Sequence, residues 1–426
     1  MNANSSSTRR RQPGRAGLLI ALILTLSLAC NAITGIPTHR LDTPIPPFTA
    51  TMNQVLQPSP LPSSTRSPVS FAHRLVGYYA SWSLYDPGYP ASIIPADKLT
   101  HINYAFAVIS ENGECISSNQ SNDQENFPAL RELKRQYPHL KTLISIGGWG
   151  QSKGFSPAAQ ADKTRLRLAL SCIRFMKENN FDGIDIDWEY PSPEERSNFT
   201  ALLAVFRRQL EVQGAADNNR YLLTIAAGAS PYQYNDIDLA QITPYLDWIN
   251  LMTYDFHGPW SGLTGFNAPL YPSTRDLAAS QVERANFNVQ AAVQAFLTAG
   301  VPADKIVVGV PFFGRGWAGV PDNNHGLYQT FNGTPNGQSS TNYLDLKNTY
   351  LVEGSGYSRY WEDEAMVPWI YNPLTGIMIS YDDPQSLSLK ADYIKAMNLG
   401  GIMIWQLGAD DEQGSLLDAL YSHLKD

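Results

Sequence analysis

Four acidic residues crowd the segment Phe181-Asp182-Gly183-Ile184-Asp185-Ile186-Asp187-Trp188-Glu189-Tyr190-Pro191. Asp185, Asp187 and Glu189 are spaced two apart, which puts their side chains on one face of a β-strand. Adjacent members would lie roughly 7 Å apart on a strand rising about 3.4 Å per residue. Three carboxylates this close cannot all ionise cheaply, so at least one proton is retained or shared. Such crowding is how a carboxyl group is kept protonated near neutral pH, as a general acid requires. Glu189, nearest the strand end, is best placed to meet a substrate. Two other readings of the same residues stay open. One is a solvated acidic face, although Ile184, Ile186 and Trp188 then have to fill the opposite face and a buried strand has no wet side. The other is a hard-cation site, although such sites usually add carbonyl or Asn ligands in a tight loop.

A strand of this kind needs neighbours on both edges, and the chain supplies them. Short apolar runs recur at 75–80, 101–109, 141–147, 183–188, 222–228, 247–253, 306–311 and 401–406. Helical periodicity separates several of them, at 159–179, 194–213, 286–299 and 385–398. Alternation of strand and helix implies a parallel sheet of the α/β class, and eight units in one domain predict a closed (β/α)8 barrel. Such a barrel takes about 250 residues. Residues 71–426 exceed that, and the surplus falls mainly between the seventh and eighth runs. Residues 318–380, rich in Gly, Asn and Tyr, read as an inserted subdomain. Active sites of this fold gather at the C-terminal ends of the strands, so reactive residues should follow each run.

The N-terminal stretch is of another kind. Arg9, Arg10, Arg11 and Arg15 precede the uncharged run Ala16–Ala29, 14 residues long. The run is shorter than the roughly 20 residues that span a bilayer, so residues 1–30 read as an export signal. Leu26-Ser27-Leu28-Ala29-Cys30 resembles a bacterial lipoprotein cleavage site with Cys30 lipidated; plain cleavage near Ala29 is the alternative. Residues 31–70 hold eight prolines, many Ser and Thr, and Phe48 as their only aromatic. They cannot bury enough apolar surface to offset chain entropy and read as a disordered tether. The whole chain carries a net charge of -8, which argues against nucleic acid as a partner. Removing residues 1–30 takes away four Arg and no acid, giving 27 - 39 = -12.

With those residues in view, the chain resembles family 18 glycoside hydrolases, the chitinase family. The carboxylate segment fits the signature Asp-x-x-Asp-x-Asp-x-Glu in every defined position. Ser145-Ile146-Gly147-Gly148-Trp149 is similar to the family's strand-three motif. Met252-Thr253-Tyr254-Asp255 with Gly258-Pro259-Trp260 is similar to strand six, and Gly309 to Arg315 to strand seven. Trp405 resembles the strand-eight tryptophan that floors the sugar site. The insertion resembles the α+β domain of one subfamily, which makes the expected architecture a TIM barrel with an α+β subdomain between strands seven and eight.

The resemblance implies a retaining hydrolysis assisted by the substrate's own N-acetyl group. Glu189 would be the acid and base, Asp187 would bind the acetamido N–H, and Asp185 would share a proton with Asp187. Asp182 would support the strand end, and Tyr254 would orient the acetamido oxygen. Asp255 and Arg315 would hold the sugar. Trp149, Trp260 and Trp405 would stack on sugar faces, although core packing is the commoner fate of a large aromatic. Tyr78, Phe106, Ser145, Gly148, Tyr190 and Met252 complete the expected substrate contacts. Phe313 departs from the Tyr found in many relatives. The implied partner is chitin or a chito-oligosaccharide, met outside the cell or at its surface, with Cys30 as the membrane anchor where lipidated. No cofactor and no metal are expected, and the chain is expected to act as a monomer. Another N-acetylated glycan, or a chitin-binding lectin on the same fold, are the alternatives; Glu189 weighs against the lectin.

Three weaker signals remain. Gly150-Gln151-Ser152-Lys153-Gly154 fits a nucleophile-elbow pattern, but no immediate strand–turn–helix surrounds it and it reads as coincidence. His257 is expected to line the cleft. Cys115 and Cys172 could pair after export or stay as free buried thiols.

Overall fold

The computed structural model describes residues 71–276 and 280–425. The expected signal, tether and Cys30 lie outside them. Eight parallel strands close into a ring: β1 (Arg74–Ala80), β2 (His101–Ile109), β3 (Lys141–Gly147), β4 (Gly183–Asp187), β5 (Leu222–Gly228), β6 (Trp248–Met252), β7 (Ile306–Pro311) and β8 (Gly401–Trp405). Pairing of β1 with both β2 and β8 completes the circle. The expected runs agree with these bounds to within one or two residues.

The two faces of each strand have different fates. Leu75, Ile144, Ile146, Ile184 and Ile186 point outward into the layer beneath the helices. Val76, Tyr78, Leu143, Trp248, Val307 and Met403 point inward and fill the barrel. Trp188 belongs to the outer layer, stacked on Phe155 at 5.2 Å and edge-on to Phe199 at 5.6 Å. This two-residue alternation is what sends Asp185 and Asp187 into the barrel.

Asp162–Glu178, Arg196–Asp217, Val289–Thr298 and Pro384–Ala396 are the helices that periodicity anticipates. A further helix, Gln120–Gln136, joins β2 to β3. Its buried face changes character along its length: Asn122, Asp123 and Asn126 fill the first half, and Phe127, Leu130 and Leu133 form a short apolar stripe in the second. Asp123 accepts from the Tyr104 hydroxyl at 2.5 Å, and Pro128 sits on the exposed side. Only short turns link β1 to β2 and β5 to β6.

Between β7 and β8 lies a five-stranded antiparallel sheet. Its order is Ser340–Asn342, Phe313–Trp317, Ile377–Ser380, Val367–Asn372 and Ser358–Glu362. The sheet begins at Phe313 rather than at 318, almost directly from β7. It has its own core, in which Trp317 and Trp369 are buried with Phe266 and Tyr371.

The chain returns to the barrel through Asp382, whose carboxylate meets Lys390 Nζ at 2.6 Å. Both side chains are fully buried, and the Ser386 hydroxyl adds a bond of 2.6 Å. Breaking such a pair strands a charge in an apolar surround. Lys390→Ala should therefore cost about 3–5 kcal/mol in urea unfolding, whereas Lys390→Met combined with Asp382→Leu should regain most of it.

Candidate active site

Strand register assembles the centre of the site. Ser145 on β3 and Thr224 on β5 are the direct neighbours of Asp185 on β4. Their hydroxyls donate to its carboxylate at 2.8 and 2.5 Å. Tyr78 from β1 donates at 2.7 Å and Asn250 from β6 at 3.2 Å. Burial pushes the Asp185 carboxyl up, and these four donors pull it back toward the ionised form.

Asp187 has no such support. Burial first, then the charges of Glu189 and Asp185, push its carboxyl well above the ordinary range. Its Oδ1 is buried and meets no hydrogen-bond partner. Both carboxyls are thus pushed toward the protonated form, and the donors around Asp185 oppose that push where Asp187 has none. Glu189 stands past the end of β4, half-buried, and is pushed up to about 7, chiefly by burial with Asp255 adding to it.

Glu189 is held from behind by a residue that motif reading set aside. Its backbone N–H donates to the Ser152 hydroxyl oxygen at 3.0 Å. That oxygen also lies 3.1 Å from the carbonyls of Gly148 and Asp187. Ser152 is thus a buried clamp on the carboxylate loop and not a nucleophile. The loop closes this tightly because of two glycines. A Cβ on Gly147 would come within 2.2 Å of the Asp187 carbonyl, and one on Gly148 within 2.6 Å of the Phe106 ring.

Tyr254 follows β6. Burial, then Asp187, Asp255 and Glu189, push its hydroxyl well above the ordinary range, so it remains a donor. Asp255 has φ of 61° and takes a two-pronged ion pair from Arg315, with both N–O distances 2.7 Å. The guanidinium lies 5.2 Å from the Trp260 ring centre and 4.9 Å from that of Phe313. Phe313 in turn meets Tyr254 edge-on at 5.9 Å.

These groups open into a cleft of about 1010 Å³ at the C-terminal mouth of the barrel. That is the upper end of the roughly 300–1,000 Å³ usual for ligand sites. Trp405 floors it, with Phe106 nearly parallel at 5.7 Å, Tyr78 at 5.5 Å and Trp82 at 6.4 Å. Trp149 and Trp260 stand at the rim, 79% and 60% exposed. Tyr190 and Met252 also line the cleft. Exposed aromatics of this size around a concavity are unusual without a ligand to cover them.

The other residues singled out in the sequence fall away from the cleft surface. Asp182 is not with the other carboxylates. It precedes β4, accepts from the Thr142 N–H at 2.8 Å and pairs with Lys134 at 2.7 Å, at the foot of the strand. Ser145 and Gly148 are buried behind the cleft surface, one supporting Asp185 and the other the loop. His257 faces away from the cleft, 3.2 Å from the Phe266 carbonyl and against Phe287. Cys115 and Cys172 are free buried thiols lying side by side. Thr224, Asn250 and Tyr232 belong to the site and were not singled out, and Ser152 was read only as part of a coincidental motif; a polar residue inside an apolar strand run was the readable signal for Thr224 and Asn250. Among the described residues, no group of three or more His, Cys, Asp or Glu could hold a metal ion.

The comparisons with known proteins agree with this fold. The family model for glycosyl hydrolases family 18 matches residues 74–410, so the chain belongs to that family and is a glycoside hydrolase. Chitinase A1 of Niallia circulans is 39% identical over 397 residues, spanning 80% of this chain and 57% of the relative's length. The structure of chitinase ChiA74 from Bacillus thuringiensis superposes with a TM-score of 0.78 at 36% identity, covering 83% of this chain and 69% of that one. A family 18 N-acetylglucosaminidase from Paenibacillus barengoltzii gives a TM-score of 0.74 at 39% identity, covering 83% of this chain and 100% of that one.

The two carboxylates at opposite ends of β4 should behave differently. Asp182→Asn should lower the melting temperature and leave the pH–rate profile in place. Asp185→Asn should displace the profile, because it removes a carboxylate that adds to the upward push on Asp187.

Proposed function

We propose that this chain is an exported chitinase that cleaves β-1,4 bonds between N-acetylglucosamine units with retention, assisted by the substrate's acetamido group. The observation that carries the reading is the pairing of Glu189, a carboxyl held near neutrality, with the partnerless Oδ1 of Asp187 beneath an aromatic cleft. The acetamido N–H of a sugar on Trp405 supplies the donor that Oδ1 lacks. Tyr254 donates to the acetamido oxygen and points it at the anomeric carbon. Glu189 gives its proton to the glycosidic oxygen as the oxazolinium ring closes, then draws one from water as the ring opens. The carboxylates beneath stabilise the positive charge that spreads over the sugar.

Export rests on the N-terminal residues, with Ala29 as a cleavage point or Cys30 as a lipid acceptor. No helix among the described residues is long and apolar enough to cross a membrane. A second reading, removal of single N-acetylglucosamine units, is favoured by the name of the Paenibacillus neighbour, matched along its whole length.

Product analysis on chitin, chito-oligosaccharides and peptidoglycan side by side tests both readings. Chitobiose from chitin is the expected main product, and single sugars would support the second reading. Glu189→Gln should reduce release at least about a hundredfold while oligomer binding persists. Activity should also fall as pH rises through about 7, because Glu189 must enter the reaction protonated and its folded-state value lies above the ordinary one. A basic limb that survives well above that pH would count against Glu189 as the acid.

A further inference from the structure

The two rims of the cleft differ in chemistry. On the side of β8, β1 and β2 the lining is aromatic: Trp405, Tyr78, Phe106 and Trp82. Across the ring, the loop after β5 brings Tyr232, and the helix Gln281–Asn286 brings Glu283. Tyr232 is 59% exposed and is steadied edge-on by Phe287 at 6.1 Å. Phe287 follows Glu283 by one helical turn, its N–H donating to the Glu283 carbonyl at 2.9 Å. Aromatic ring and carboxylate therefore share one wall.

That carboxylate has no cation within the cleft. Arg315 is the only basic side chain among the described lining residues, and it is committed to Asp255. Arg284, next in sequence, lines a separate small cavity together with Asp276. His257 lies behind Phe287 and outside the cleft, where burial pushes its ring down against the upward pull of Asp276 and Glu283. Asp187, Glu189, Asp255 and Glu283 thus face the cleft against one already paired guanidinium. A neutral acetylated sugar offers Glu283 only ordinary hydroxyl or amide donors. The same sugar without its acetyl group carries an ammonium, whose charge-assisted bond is roughly twice as strong.

We propose that Tyr232 and Glu283 form a subsite that selects a free-amine glucosamine unit, so that the preferred substrate is a partly deacetylated chain. The unit over Trp405 must keep its acetyl group, since the reaction consumes that group's oxygen as nucleophile. The inference rests on the hydrolase reading above and narrows its substrate class.

The test compares a fully acetylated oligomer with one carrying a single glucosamine, at low salt and a pH below that of amine deprotonation. Wild-type enzyme should favour the amine-bearing oligomer, and its products should place glucosamine at one fixed position relative to the cut. Glu283→Gln should lower the ratio of the two kcat/KM values about threefold to fivefold, and Glu283→Asp should restore part of it. The preference should fade at about 1 M salt, where the screening length is about 3 Å. An unchanged ratio in Glu283→Gln, or glucosamine scattered over all product positions, would overturn the inference. Wild-type enzyme inert on both oligomers would overturn the hydrolase reading itself.

Discussion

Negative charge gathered where water cannot reach it is the constraint around which this molecule is arranged. Asp185 and Asp187 share the inward face of β4, and Glu189 follows just beyond it. In so poorly solvated a place each ionised carboxylate must be compensated or must keep its proton. The protein uses both remedies. Asp185 is compensated by four donors drawn from four different strands, whereas Asp187 Oδ1 meets none and its carboxyl is pushed well above the ordinary range. Glu189, beyond the strand end, is pushed up to about 7. Neighbouring acids whose surroundings differ in this way are how one site holds both an acid and a base.

The barrel is what makes that distribution reproducible. The donors to Asp185 are far apart in sequence, between Tyr78 and Asn250, and only the closed parallel register brings them to one carboxylate. Ser152 repeats the idea on a smaller scale. It ties the loop after β3 to the peptide of Glu189, so the acid is positioned by backbone rather than by its own flexible side chain. Two glycines permit this approach, and a side chain on either would collide with the Asp187 carbonyl or the Phe106 ring.

Legibility in the sequence followed distance along the chain. The eight strands could be read because each is a compact apolar run, and the carboxylate face because its period of two is local. Helix Gln120–Gln136 was not read, since the first half of its buried face is Asn and Asp bonded to Tyr104 and Ser117, which leaves Phe127, Leu130 and Leu133 as an apolar stripe too short to stand out. Asp182 sits in the same short segment as the reactive acids, yet it precedes the strand and so falls at the end away from the mouth of the barrel. The tryptophans divided in a similar way. Trp82, Trp149, Trp260 and Trp405 reach the cleft while Trp317 and Trp369 fill the subdomain core, a distinction decided by contacts across the inserted sheet.

Arg315 belongs to the strand Phe313–Trp317, which opens the inserted sheet, whereas its partner Asp255 belongs to the barrel. The wall of the cleft and the reaction floor are therefore parts of one electrostatic unit rather than two modules joined by a hinge. A lineage that shed the subdomain would also shed the guanidinium that pairs with Asp255, and with it the stacking partner of Trp260. In this architecture the wall of the groove and the anchoring of its floor cannot be inherited separately.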